Sequence, residues 1–210
     1  MFFAVRVHLL RGETREADKL AKAALALSTK HGFTFWTPMV SFLQGWSLCL
    51  QGRGAEGITP MRAGFTSALA TGGKITRPVF YALLAEGYGR VGRLDKAWRM
   101  LDCALRAVAE SGQRHHEAET YRIKGQLHLR AANPDVERAE ASFQLALDIA
   151  RRQQARSWEL RAATSLARLW RDQARRAEAH DVLAPVYGWF TEGFDTADLK
   201  GAKKLLEELA

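Results

Sequence analysis

Between Tyr81 and Ala104 apolar residues recur at helical spacing. Tyr81, Leu84, Ala85 and Tyr88 share one face of a first segment, Leu94, Ala97, Leu101 and Ala104 share one face of a second, and Gly92 separates them. Spacings of three, four and seven put side chains on one stripe of an α-helix. Small residues at Ala85, Ala97 and Ala104 alternate with large ones, the order needed where two helices approach closely and interdigitate. The stretch predicts an antiparallel helix pair.

The pattern recurs along the chain. Val5, His8 and Leu9 run into a Gly12 turn, and Ala17, Ala21, Ala24 and Leu25 form the returning stripe, closed by Gly32. In the second unit Pro38 suits a first helical turn. Phe42, Gly45, Trp46 and Leu48 mark its packing surfaces, and Gly57, Met61 and Gly64 repeat the small, large, small order. A fourth unit carries Tyr121, Gly125 and His128, a break at Asn133 and Pro134, then Ala139, Phe143 and Ala146. A fifth carries Ala163, Leu166, Ala167 and Trp170, a turn near Ala174, then Ala179, Leu183 and Val186, its second helix shortened or kinked by Pro185. The small residues Ala17, Gly57, Ala97, Ala139 and Ala179 step by 40, 40, 42 and 40, a period that signals a repeat array. The expected units are 1–32, 33–73, 74–113, 114–155 and 156–192 of one domain. A terminal helix at 195–210, N-capped by Asp195 or Thr196, has an apolar face of Leu199, Ala202, Leu205, Leu206 and Leu209 and a charged one, as suits an end cap.

Composition narrows this to an all-α globular chain with almost no sheet: 47% of residues are hydrophobic and 10% aromatic. Cys49 and Cys103 lie inside helical patterns and read as two buried small residues, which suits a reducing compartment and excludes a disulfide scaffold. Arg6 and Arg11 interrupt the apolar start without a cleavage pattern, and no window reaches the ~18 apolar residues of a membrane span. The expectation is a soluble, cytoplasmic protein with no membrane role. A net charge of +8 permits anionic partners without choosing among nucleic acid, lipid and protein.

Tyr81, Leu84, Ala85, Tyr88, Gly92, Ala97, Leu101 and Ala104 resemble, position by position, the tetratricopeptide repeat, whose fold is a right-handed α-solenoid of antiparallel helix pairs. The period is longer than that family's usual ~34 residues, and HEAT-like repeats of ~40 to 47 residues compete for the assignment. The run from Ser157 to Leu209 also resembles the C-terminal end of bacterial signalling proteins that join an adenylate or guanylate cyclase, a STAND-type ATPase and a long repeat array. That resemblance implies a regulatory or interaction module, with upstream cyclase or ATPase domains as covalently linked partners.

Catalytic signatures are missing. Gly72, Gly73, Lys74, Ile75 and Thr76 superficially resemble a phosphate loop, but Ile75 follows the lysine and Ala68 stands where the leading glycine belongs. His116 and Glu117 begin an HExxH-like stretch that has Thr120 in place of the second ligand, so His115 and His116 read as members of a solvated turn. No enzyme activity, metal or cofactor is implied. What remains is surface: the resemblance places Arg90, Arg122, Arg130, Arg161, Arg168 and Arg171 at or near the concave groove. Arg161, Arg168 and Arg171 share one helical face opposite Leu160, Ala163, Ala167 and Trp170, and eight arginines lie between Arg151 and Arg176 against Glu159 and Asp172. Such a face either takes carboxylate or phosphate on planar guanidinium forks or is merely solvated. Phe42 and Trp46 form either an apolar anchor site in the groove or part of the packing beneath a neighbouring repeat. The expected role is a protein- or peptide-binding scaffold, with an acidic peptide or C-terminal carboxylate as the ligand of a basic groove. A phosphate-binding nucleic-acid module and a small-molecule sensor are the alternatives; the first is disfavoured because the arginines are not interleaved with exposed aromatics.

Overall fold

In the computed structural model, residues 1–70 and 76–210 are described, and among them there are eleven helices and no strand. They are α1 (Phe2–Leu10), α2 (Thr14–Lys30), α3 (Trp36–Leu50), α4 (Gly54–Ala70), α5 (Arg77–Arg90), α6 (Leu94–Ser111), α7 (Glu117–Leu129), α8 (Val136–Arg152), α9 (Arg156–Asp172), α10 (Arg176–Gly188) and α11 (Ala197–Leu209). Gly72 and Gly73, expected to end the second unit, lie outside the described residues, as do Lys74 and Ile75 of the loop-like run. The chain divides into two compact units, Met1–Gln113 with α1 to α6 and Arg114–Ala210 with α7 to α11.

Each unit is a stack of helix pairs. Within the first, α1 packs on α2, α3 on α4 and α5 on α6; within the second, α7 packs on α8 and α9 on α10. Each following first helix also packs on the pair before it: α3 on α2 and α1, α5 on α4 and α3, α9 on α8 and α7, α11 on α10 and α9. Second helices begin at Thr14, Gly54, Leu94, Val136 and Arg176, in step with the period read from their small residues. On α6 the stripe Ala97, Leu101 and Ala104 is fully buried. Nearly all of α5 from Pro78 to Gly89 is buried, because α3, α4 and α6 enclose it.

One hydrogen-bonded turn ends six of these helices. The N–H of Arg93 donates to the Tyr88 carbonyl (3.0 Å) and that of Gly92 to Gly89 (3.3 Å), with Gly92 left-handed at φ 72°. This is the Schellman closure. It recurs at Gly12, Gly32 and Gly52 in the first unit, 20 residues apart, and at Gln154 and Ala174 in the second, where side-chain-bearing residues accept φ of 52° and 63°. Other glycines serve contact instead. A β-carbon on Gly57 would stand 2.3 Å from the Gly45 carbonyl oxygen, and one on Gly45 2.5 Å from the Gly57 oxygen, so α3 and α4 cross backbone to backbone there.

Proline shapes two second helices. α10 runs through Pro185 but has 13 residues, against 17 in α2, α4 and α8; α4 runs through Pro60 at full length. Two expectations are corrected. His116 is buried rather than solvated, because its ring packs edge-on against Trp158 at 5.1 Å at the start of α7. Cys103 is only partly buried, with the Arg106 guanidinium donating to its sulfur, whereas Cys49 is enclosed and burial pushes its thiol up to about 11.

Candidate functional site

The residues singled out by sequence fall into two separate groups, one in each unit. In the first unit Phe42 and Trp46 both point from α3 into the core. Phe42 is completely buried and stacks on Phe80 of α5 with ring centres 3.9 Å apart. Trp46 donates its indole N–H to Glu86 Oε2 (3.2 Å), and Arg90 donates to Oε1 of the same buried carboxylate (2.9 and 3.2 Å). The packing alternative for Phe42 and Trp46 is the one realised, because α5 covers them; neither presents an apolar anchor. Arg90, by contrast, stays partly accessible above its pair with Glu86.

The second unit gathers Arg122, Arg161, Arg168 and Arg171 along α7 and α9, beneath and beside α11. Glu119, three residues before Arg122 on α7, is buried and receives both arms of the Arg122 guanidinium at 2.7 Å and Arg161 Nη1 at 3.2 Å. Burial alone would raise the Glu119 carboxyl, but Arg122 and Arg161 outweigh it and hold it down to about 2. Arg161 also donates to Asp198 in the first turn of α11 (2.6 Å). Burial opposes charge on Arg161, and the carboxylates of Glu119 and Asp198 overcome this and raise its pKa. Farther along, Arg171 binds Asp172 and reaches Glu208 in the last turn of α11, while Arg176 donates to the Glu208 carbonyl oxygen. The expected open arginine face of α9 is therefore largely covered. α11 folds onto α9 and brings Asp198 and Glu208 opposite its arginines, which act as two staples. Arg130 ends α7, its backbone N–H bonded to the Gln126 and Leu127 carbonyls, with its side chain exposed.

Arg168 lies between the staples in sequence. Among the described residues it has no ion-pair or hydrogen-bond partner. The residue is exposed, yet partial desolvation of the guanidinium, then like charge on Arg171 and Arg122, lowers its pKa despite the proximity of Asp198 and Glu208. Gly201 on α11 leaves it room, since a β-carbon there would come within 3.3 Å of its Nη2. Arg168 lines a cleft of about 450 Å³ between α7, α8 and α9. Leu129, Val136, Phe143 and Leu169 supply apolar wall, and Ser165, Asp172 and Gln126 polar edge. The Phe143 ring reaches into the site because position 125 is glycine: a β-carbon would meet it at 2.5 Å. The buried Gln126 Oε1 accepts no hydrogen bond. The cleft thus offers one unengaged cation, one unengaged acceptor and an apolar wall, with nothing resembling a nucleophile–base pair.

Sequence reading missed Glu119, Asp198, Glu208 and Gln126. The Glu119–Arg122 spacing of three is a readable helical ion pair. Arg161 reaches Glu119 across 42 residues and Trp46 reaches Glu86 across 40, one repeat in each case; pairs at the repeat period were the available signal.

No family model matches this chain, and no curated protein matches it. Solved structures do. A crystal structure of a kinesin light chain-like protein of Podosopora anserina, substituted at one position and built of nearly identical TPR-like repeats, superposes with a TM-score of 0.58 at 15% identity, covering 89% of this chain and 91% of the other. Another crystal structure of that protein gives a TM-score of 0.50 at 15% identity, covering 99% and 93%. The fold is a TPR-like α-solenoid repeat; the competing HEAT-like assignment finds no support in these two neighbours. Among the described residues no helix is long and apolar enough to cross a membrane.

Proposed function

We propose that the chain is a non-enzymatic scaffold whose second unit binds the C-terminal end of a peptide or protein in the α7–α9 cleft. The observation that carries this reading is Arg168, an exposed guanidinium with no ion-pair or hydrogen-bond partner among the described residues, beside an apolar wall and the unengaged Gln126 Oε1. A terminal carboxylate would take the guanidinium fork, the preceding amide N–H would donate to Gln126, and an apolar last side chain would rest on Leu129, Val136 and Leu169. The resemblance of residues 157–209 to cyclase- and ATPase-linked arrays supports reading such a module as the regulatory repeat region of a bacterial signalling protein.

The nucleic-acid alternative loses its main support, since Arg122, Arg161 and Arg171 engage carboxylates of the fold itself. A small carboxylic acid is a second reading, favoured by a cleft volume of about 450 Å³ that suits small ligands. Fluorescence anisotropy with a library of peptides ending in an apolar residue, each as free acid and C-terminal amide, separates these. Free acids should bind, amides should bind about ten-fold or more weakly, and Arg168→Glu should abolish the difference. If no peptide binds, or if Arg168→Glu binds the acids unchanged, the reading fails. Arg161 and Arg171 are poor positions for this test because their loss would release α11.

A further inference from the structure

The cleft that holds Arg168 contains a second charged group, of opposite sign. Asp172 follows it on α9 and lines the same cleft, one turn away, or about 6 Å along the axis at the usual rise of about 1.5 Å per residue. Its side chain is 64% exposed. Arg171 donates to it through Nε (3.0 Å) and Nη2 (2.8 Å), and both bonds end on Oδ1. Among the described residues Oδ2 accepts no hydrogen bond.

The surroundings of Asp172 favour a cation. Glu119 near the start of α7 meets Arg161 in the first half of α9, while Leu129 and Asp172, the last residues of the same two helices, line one cleft. The two helices therefore run parallel, and both bring their C-terminal ends, with the partial negative charge of the backbone dipoles, to this mouth. The nearest arginines are committed within the fold: Arg171 spans Asp172 and Glu208, and Arg175 closes on Glu140 and Glu178. Arg130, exposed in the residue after Leu129, keeps the mouth from being uniformly acidic. Selection of a ligand cation is left to direct contact with Asp172 and not to a long-range field.

We infer that the cleft selects peptides carrying lysine or arginine one or two positions before the C-terminal residue, with Asp172 setting that preference. The inference rests on the reading of Arg168 as the anchor of the terminal carboxylate. From that anchor an extended chain advances ~3.3 to 3.6 Å per residue, so a residue one or two positions before the last comes level with Asp172. A cationic side chain there meets Oδ2. A neutral one leaves Asp172 facing the terminal carboxylate about one helical turn away, like charge toward like, and an acidic one adds a second repulsion.

Fluorescence anisotropy with labelled alanine tetrapeptides ending in leucine, carrying Lys, Gln or Glu at either of the two positions and made as free acid and C-terminal amide, tests this. On the native protein lysine at one of these positions should bind about five-fold tighter than glutamine, and glutamate more weakly than glutamine, the size of effect an exposed ion pair gives. Asp172→Asn should erase this order and Asp172→Lys should reverse it. Raising salt from about 50 to about 500 mM should shrink the preference. Equal affinity for the lysine and glutamine peptides, or a preference that survives both substitutions, overturns the inference. In that case the glutamine peptides still report on Arg168, whose reading stands if their free acids outbind their amides. No binding, or no discrimination between acid and amide, overturns both.

Discussion

Glu119 is the residue whose titration should register most strongly in stability. Its carboxyl moves from an ordinary 4.5 to about 2 on folding, because the Arg122 and Arg161 guanidinium groups outweigh the penalty of burial. A depressed folded-state pKa means that the unfolded chain binds the proton more tightly. The stabilisation is therefore complete above about pH 4.5 and is lost as pH falls toward 2. A difference of that size is worth roughly 3 kcal/mol, at about 1.4 kcal/mol per pH unit through the window. Glu119→Gln removes the titrating group and takes the Glu119 charge away from the buried Arg122 guanidinium, which costs roughly 3 kcal/mol at neutral pH. Arg161 keeps Asp198, so α11 should stay docked. Urea midpoints read by tryptophan fluorescence from about pH 7 to about pH 2 should show the native protein losing stability through the window, the variant changing less, and the two converging at the acid end. Other carboxylates, the half-buried Glu13 and the exposed Glu56 and Glu178, are held low by their arginine neighbours, but they occur in both proteins and cancel from the difference. Parallel curves would refute the assignment of this acid sensitivity to Glu119.

Gly57→Ala should destabilise the first unit by about 2 kcal/mol, even after the ~1 kcal/mol gain in helix propensity, because its β-carbon meets the Gly45 carbonyl oxygen at 2.3 Å and forces α3 from α4; a raised urea midpoint would contradict the close crossing. Ala174→Gly should stabilise the second unit by about 1 kcal/mol by relieving the left-handed φ of 63°, and an unchanged or lowered melting temperature would count against that. Asp198→Asn should weaken one staple by about 1 kcal/mol, discounted for its partial exposure, and appear as faster amide exchange in α11 with α7 and α8 unaffected.

The helix pairs were legible because their evidence is local. Ala97, Leu101 and Ala104 fix which side of α6 is buried, and Gly12, Gly52 and Gly92 mark the turns that need a left-handed residue. Where a residue with a side chain takes that conformation, at Gln154 and Ala174, no glycine marks the helix end. Period alone located the second of these turns. Phe42 and Trp46 were less legible because a stripe of aromatic residues reads alike whether a groove or the next helix lies across it. Phe80 and Glu86, which decide the matter, lie a repeat away.

The arginines show the same limit with larger consequences. Eight between Arg151 and Arg176 look like one basic surface when counted along the chain. In space, Arg161 and Arg171 pair with Asp198 and Glu208, which come from a helix more than thirty residues away. Their charge is compensated within the fold and contributes little field toward a partner. Arg168 shares their face but falls between the two acidic turns of α11, opposite Gly201 rather than a carboxylate. A leucine or lysine at position 201 would still permit a helical end cap, but it would press on the guanidinium from the side that glycine leaves open. The features that leave Arg168 unengaged thus belong to the capping helix, and the binding capacity of the cleft depends on α11 as much as on the helices that line it.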